Sequence, residues 1–198
     1  MENADSSEIG SVGLLGELAV EMALIQHGWH PVRLDTSRMA SNADLLAINR
    51  KSRISIQVKT TNAYKKHSHS TSLGFGYSTS YLRDGKNIFN SKESPLIADV
   101  VIGVSYNLHE TRFVVMPVAF AEKICKYHCD YWFSVPTKTK TRKRSDSFPL
   151  YLSFSKVSRK HEKSQTRIQR NLLQFENAWH ILHEPIEKLH NAKAWKLL

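Results

Sequence analysis

The stretch ADLLAINRKSRISIQVKT, residues 43–60, decides the fold of this 198-residue chain. It contains two short β-type runs, at 43–48 and 54–60, on either side of a polar and basic turn. That arrangement is typical of a β-hairpin. Within the second run, Gln57 and Lys59 are two residues apart and therefore share one face of the strand. The alternate positions point to the other face and are apolar: Ile54, Ile56 and Val58.

The pairing of the two strands decides whether Asp44 joins the polar face. Directly paired residues on neighbouring strands share a face, so Asp44 lies with Gln57 and Lys59 only if paired residue numbers add up to an odd sum. Pairing Asp44 with Lys59 and Leu46 with Gln57 satisfies this condition and leaves residues 50–53 as the loop. A slip of one residue would turn Asp44 to the opposite face. The sequence therefore predicts a register as well as a hairpin.

Patterns outside the hairpin predict an α/β domain with a central mixed sheet and flanking helices. Apolar residues at helical spacing, with Gly28 as a C-terminal cap, predict a helix over 9–27 after a disordered N-terminus at 1–8. Gly10, Gly13 and Gly16 of that helix predict a close neighbour along one ridge. The other predicted elements are strands at 29–35, 98–106, 112–118 and 150–155 and helices at 119–133 and 168–182. Residues 61–95 match no element and are interpreted as a long loop.

Charge and composition narrow the class of protein. Lys and Arg number 28 against 18 Asp and Glu, and the net charge of +10 indicates a polyanionic partner such as nucleic acid. Two Cys cannot build a disulfide framework, no apolar run is long enough to cross a membrane, and the polar N-terminus does not resemble a signal peptide. We expect a soluble cytoplasmic protein of prokaryotic, phage or mobile-element type, with no membrane partner and no organic cofactor.

Nearly all of the net charge falls in residues 136–170. Eleven Lys and Arg against two acidic residues give this segment a charge of +9. Such a concentration binds phosphate backbones by releasing counterions, without regard to sequence. A solvated loop is the alternative interpretation. The residues predicted to contact nucleic acid are Lys138, Lys140, Arg142, Lys143, Arg144, Arg159, Lys160 and Lys163.

Three motifs in this order resemble the PD-(D/E)xK nuclease superfamily, which includes many restriction enzymes and the archaeal Holliday-junction resolvases. They are Gly13-Leu-Leu-Gly-Glu17 on the first helix, Ala43-Asp44-Leu-Leu-Ala-Ile48 on one strand, and Gln57-Val58-Lys59-Thr-Thr61 on the next. The resemblance implies a restriction-endonuclease-like core at 9–135, with the basic segment, a strand and a C-terminal helix at 136–198 packed on the same domain. Gln57 departs from the pattern, because most members carry Glu or Asp there, and its neutrality removes one negative charge from the site.

The resemblance implies a role for each matching residue. Asp44, the side-chain oxygen of Gln57 and the backbone carbonyl of Val58 would bind a divalent metal, normally Mg²⁺, for which Mn²⁺ can substitute. Lys59 would orient the attacking water or stabilise charge on the phosphate, and Glu17 would hold a metal-bound water. The implied activity is Mg²⁺-dependent hydrolysis of duplex or branched DNA, by a homodimer as in the symmetric members. Two alternatives stay open: an inactive nuclease fold that binds DNA, and an RNA-binding or RNA-cleaving factor.

Two further features have simpler interpretations. Cys125, His128 and Cys129 lie close in sequence but lack the second ligand pair of a zinc site, so reduced structural cysteines are favoured. Trp179 and Trp195 are predicted to pack onto the core.

Overall fold

The computed structural model describes residues 6–34, 43–62, 72–77, 80–83, 86–89, 98–106, 111–124, 127, 148–153 and 170–198. In chain order its elements are α1 (Ser6–Gln26), β1 (His30–Arg33), β2 (Leu45–Ile48), β3 (Arg53–Asn62), β4 (Ser72–Tyr77), β5 (Ser80–Arg83), β6 (Lys86–Phe89), β7 (Val100–Tyr106), β8 (Arg112–Pro117), α2 (118–124), β9 (Phe148–Ser153), α3 (170–173), a 3-10 helix (Trp179–His183) and α4 (Ile186–Leu189). None of the helices within these ranges is long and apolar enough to span a bilayer.

The centre of the fold is a five-stranded mixed sheet in the order β1-β2-β3-β7-β8. β3 and β7 run parallel, and the other neighbours are antiparallel. β7 is buried along almost its whole length, as its continuous apolar run predicts for a strand covered on both faces. Helices flank the sheet, so the predicted α/β class with a mixed central sheet is confirmed.

β2 and β3 form the predicted hairpin, but its register differs from the prediction by two residues. Leu45 pairs with Ile56, and Leu46 pairs with Ser55 instead of Gln57. The paired numbers still add up to an odd sum, so the backbone of Asp44 keeps the face that the sequence predicts. The predicted partner of Asp44 was wrong, whereas its side of the sheet is right.

The turn explains the shifted register. The side-chain oxygen Oδ1 of Asn49 accepts hydrogen bonds from the backbone amides of Lys51 and Ser52, each at 2.8 Å. The backbone amide of Asn49 in turn donates to the Ser52 carbonyl at 3.0 Å. Asn side chains commonly close turns in this way. The loop therefore occupies 49–52, one residue earlier than the predicted 50–53.

α1 packs against β3 at a glycine. A Cβ added to Gly16 would lie 1.8 Å from Oγ1 of Thr60, whereas one added to Gly13 would meet nothing within 4 Å. The predicted close neighbour is therefore confirmed at Gly16 and wrong at Gly13. The helix begins at Ser6, earlier than predicted, and Gly28 follows it with a φ of +78°, as its predicted role as a cap requires.

The apolar residues of α1 lie on two opposite faces. Val20, Ala23 and Leu24 are buried against the sheet. The larger apolar side chains point away from it and are exposed: Leu14, Leu15, Leu18, Met22 and Ile25. The helical spacing of apolar residues thus predicts the helix, but most of the large apolar side chains of α1 lie outside the core.

The predicted helix at 168–182 is wrong beyond residue 173. Glu176 forms an isolated β-bridge with Val114 of β8, and the amide of Asn177, at a φ of +51°, donates to the Phe113 carbonyl at 3.0 Å. These bonds satisfy backbone groups at the outer edge of β8, and they replace the helical ones. The chain then continues as the 3-10 helix, in which Trp179 is buried and stacks on His27. The predicted packing of Trp179 on the core is confirmed.

The interpretation of 61–95 as a long loop was wrong, because three strands lie within it. β4 pairs with β9 in one two-stranded sheet, and β5 pairs with β6 in another. β4 has the sequence SLGFGY, whose two glycines lower its β-propensity. The predicted helix at 119–133 is present at 118–124 and at residue 127, and the rest of that range lies outside the described residues.

Candidate functional site

Asp44 directly precedes β2, and its carboxylate binds the backbone of β3. The Val58 amide donates to Oδ2 of Asp44 at 2.6 Å, and the Asp44 amide donates to the Ile56 carbonyl at 2.9 Å. Because the amide and carbonyl of one strand residue point toward the same edge, the Val58 carbonyl also points to the side of Asp44. A carboxylate and a backbone carbonyl therefore face the same edge of β3, in the plane of the sheet.

Gln57 adds a third oxygen. Its side chain is buried, with 6% of the residue exposed, and Oε1 has no hydrogen-bond partner. The register of the hairpin sets Gln57 opposite Asp44. A buried acceptor without a partner costs about 1–3 kcal/mol, so such atoms are rare in folded proteins. An unpaired amide oxygen in this position fits a ligand for a hard cation, which prefers oxygen donors.

The charges of Lys59, Asp44 and Glu17 act on one another. Burial raises the pKa of Asp44, while the hydrogen bond from Val58 and the Lys59 ammonium oppose that rise. Burial also raises the pKa of Glu17, the neighbouring charge of Asp44 raises it further, and Lys59 lowers it. Two carboxyl groups with raised pKa values beside a lysine are typical of functional sites. A bound cation would relieve the repulsion between the two carboxylates.

Three of the four predicted groups act on one another around β3, because Asp44 and Lys59 both shift the pKa of Glu17 and Lys59 shifts that of Asp44. Thr60 touches Gly16, so α1 covers the Thr60 face of the strand and brings Glu17 from that side. Gln57 and Lys59 alternate with Thr60 along the strand, so their side chains project from the opposite face of the sheet. Asp44 lies between the two sides, in the plane of the sheet, where Val58 holds its carboxylate.

Arg33 is a member of this group that the sequence analysis missed. Its Nε donates to Oε1 of Glu21, and its Nη1 lies 4.0 Å from Oε2 of Glu17. The guanidinium lowers the pKa of Glu17, against the effects of burial and of Asp44. The contact depends on how β1 lies beside α1, and no spacing within the sequence reveals it.

The donor set fits magnesium. Within the described ranges, no three His, Cys, Asp or Glu side chains gather into a metal-binding group. The oxygens that would hold a cation are of another kind: the Asp44 carboxylate, the amide oxygen of Gln57 and the carbonyl of Val58, with the Glu17 carboxylate on the α1 side of β3. Mg²⁺ keeps several of its waters and needs only one or two carboxylates from the protein.

Comparison of the chain with protein-family models and with curated proteins gives no match. Among solved structures, it is similar to the bacterial homing endonuclease I-Ssp6803I, with a TM-score of 0.44 and 16% sequence identity. The similarity covers 90% of this chain and 93% of that one. A likeness this distant assigns no activity, which has to be inferred from the site itself.

The residues predicted to contact nucleic acid lie outside the described residues. They are Lys138, Lys140, Arg142, Lys143, Arg144, Arg159, Lys160 and Lys163. The same holds for Cys125, His128 and Cys129. For these residues the sequence-based interpretations stay predictions, as does the division into an N-terminus, a core at 9–135 and a basic C-terminal part.

Proposed function

We propose that this protein is a metal-dependent endonuclease of the PD-(D/E)xK type, which hydrolyses phosphodiester bonds in DNA. The buried, unpaired Oε1 of Gln57 opposite Asp44 carries the proposal. It supports a cation site, because a cation bound there would satisfy an atom that otherwise costs free energy. The Val58 carbonyl at the same edge and the nearby Lys59 complete an arrangement suited to phosphate chemistry.

Each residue then has a defined task. Asp44, Gln57 and the Val58 carbonyl would hold Mg²⁺, which when bound supplies an activated water and neutralises phosphate charge. Lys59 places a fixed positive charge where negative charge develops on the phosphate. Glu17 accepts hydrogen bonds from water on the α1 side of the site. Arg33 keeps Glu17 more acidic than its burial alone would allow.

The net charge supports a nucleic acid as the substrate. The chain carries +10, of which the segment 136–170 contributes +9. Such a segment binds a polyanion through its backbone phosphates. DNA is the substrate that we propose, with RNA as the alternative that an experiment must separate.

A cleavage assay tests the proposal. Purified protein is incubated with duplex DNA, a four-way junction, single-stranded DNA and structured RNA, with Mg²⁺, with Mn²⁺ and with EDTA. Asp44→Ala and Lys59→Ala should each lower the cleavage rate by about 100-fold or more while binding is retained. Glu187→Ala and Lys193→Ala remove the same kinds of charge from exposed positions and serve as matched controls.

Two outcomes would contradict the proposal. DNA that is bound tightly but left uncut with both metals would identify an inactive nuclease fold, and the absence of Mn²⁺ binding by calorimetry would support that reading. Cleavage restricted to RNA would assign the site to a different substrate class.

A further inference from the structure

From Leu14 to Ile25, the outward face of α1 is apolar. Five large apolar side chains on this face are exposed: Leu14 (47%), Leu15 (39%), Leu18 (41%), Met22 (65%) and Ile25 (62%). They lie on the side of the helix opposite Gly16, Val20 and Leu24, which face the sheet. A helix that belongs only to the surface of a monomer carries polar residues on its outward side. This outer stripe of five residues has the composition of an interface.

The charges of α1 flank the outer stripe and do not interrupt it. Glu17 and Glu21 lie on the side of the helix that faces β1, where Arg33 contacts both. Arg33 offsets part of their negative charge, and both carboxylates lie to the side of the stripe, so a second helix can approach its apolar residues. A membrane surface is a poor fit, because interfacial helices border their apolar face with Lys and Arg. The sequence of α1 contains neither.

The spacing of the stripe suits a second copy of the same helix. Leu15, Leu18, Met22 and Ile25 are separated by three, four and three residues, the pattern along which two helices pack. That series reads the same in both directions. In an antiparallel pair, Leu18 therefore lies opposite Met22 of the second copy, and Leu15 lies opposite its Ile25. A two-fold axis between Leu18 and Met22 produces both contacts at once, as an isologous interface requires.

The exposed area is also sufficient. The stripe presents on the order of 450 Å² of apolar surface, which lies within the range of patches that have a binding role. Two copies would bury up to about 900 Å² from the stripes alone, close to the roughly 1,000 Å² at which specific interfaces begin.

We infer that the outer stripe of α1 is the interface of a homodimer in which two α1 helices pack antiparallel about a two-fold axis. The inference does not depend on nuclease activity. If the proposed function also holds, the dimer carries two candidate sites related by the two-fold axis, each on the sheet side of its own α1. A symmetric pair of sites is the arrangement that serves both strands of a duplex or junction.

Sedimentation equilibrium of the full chain, from nanomolar to high micromolar concentration, tests the interface. The unaltered protein should sediment as a dimer, and Leu18→Lys combined with Met22→Lys should raise the dissociation constant by at least about 30-fold. The matched control is Leu173→Lys combined with Ile186→Lys, at positions 43% and 45% exposed, which should leave it unchanged. Circular dichroism spectra and thermal melting confirm that both variants are folded.

Disulfide crosslinking tests the orientation. In a background with Cys125→Ser and Cys129→Ser, Leu18→Cys and Met22→Cys chains are mixed and oxidised. Antiparallel packing predicts crosslinks mainly between the two kinds of chain, whereas parallel packing crosslinks each kind with itself. A monomer at every concentration, an oligomer unaffected by the lysine pair at 18 and 22, or crosslinks within one kind of chain would overturn the inference.

Discussion

Gly16 sets the distance between α1 and the strand that carries the candidate site. Gly16→Ala would place a methyl group against Thr60, so the helix must shift or the Thr60 side chain must move. We expect unfolding in urea to show a loss of about 1–3 kcal/mol, and cleavage to fall because Glu17 moves with the helix.

Gly13 offers the matched control for this prediction. Its added methyl group meets nothing within 4 Å, and alanine favours the helix by up to about 1 kcal/mol relative to glycine. Gly13→Ala should therefore leave stability unchanged or raise it, with cleavage retained. Equal losses in the two variants would show that Gly16 is not a special contact.

Gln57 provides a test of the metal site that does not need substrate. Mn²⁺ should raise the melting temperature of the unaltered protein, because a ligand that binds the folded state stabilises it. Gln57→Leu should abolish that rise, and Gln57→Glu should enlarge it by adding a negative charge next to Asp44. Melting curves with and without Mn²⁺ measure both effects. An unchanged rise in Gln57→Leu would exclude Gln57 as a ligand.

At the scale of residues, the sequence predicts which side chains belong to the site better than it predicts their surroundings. Period-two alternation fixes the faces of Gln57 and Lys59 without knowledge of the tertiary structure. The burial of Gln57 depends on what covers β3, and the contact of Arg33 with Glu17 depends on the placement of β1. Neither of these is encoded in local spacing.

At the scale of elements, a small network ties α4 to the central sheet. His190 Nε2 lies 2.8 Å from Oδ1 of Asp99, and the amide and hydroxyl of Ser55 donate to Oδ2 of Asp99 at 2.8 and 2.7 Å. Burial on its own would raise the pKa of Asp99, but the hydrogen bonds from His190 and Ser55 outweigh it and hold the pKa below its usual value. The contact thus stabilises the ionised carboxylate.

This network predicts an acid-sensitive contribution to stability. Because the folded pKa of Asp99 is lowered, the contribution is complete above the unfolded value near 3.8 and is lost as the pH falls through the folded pKa. Between about pH 2 and pH 5, urea unfolding should show a smaller acid-dependent loss of unfolding free energy in Asp99→Asn than in the unaltered chain. The difference should be under about 1 kcal/mol, because the Asp99 carboxylate is partly exposed. Glu187→Gln, at an exposed position of α4, is the control and should follow the unaltered curve.

Local pattern predicts elements well until tertiary contacts compete with it. The apolar runs of β3 and β7 and the cap at Gly28 lie where the sequence predicts them. The hairpin register changed because the Asn49 side chain closes the turn. The helix predicted at 168–182 ends early because backbone groups near Glu176 and Asn177 bond to β8, a partner about 60 residues away in sequence. Both differences come from specific hydrogen bonds, which periodicity does not report.

At the scale of the whole molecule, the site residues and the main concentration of positive charge lie in different parts of the sequence, so we expect variants of the charged segment to change DNA binding. Neutralising Arg142, Lys143 and Arg144 together should weaken binding to all DNA sequences, and it should flatten the plot of log affinity against log salt by about 0.9 for each lost phosphate contact. Fluorescence anisotropy over a series of salt concentrations measures this slope. Neutralising Lys51, Lys193 and Lys196 removes the same charge from exposed positions and should change the slope less. An equal change would mean that net charge alone governs binding.

The two outer strands of the central sheet limit how this protein can associate. Along β8, the segment around Glu176 already occupies the outer backbone groups, through its bridge to Val114 and the bond between the Val115 amide and the Phe175 carbonyl. Along β1, Pro31 has no amide hydrogen to donate. The addition of a further strand is therefore hindered at both edges of the sheet. Such additions are the route to β-augmentation and to amyloid-like stacking.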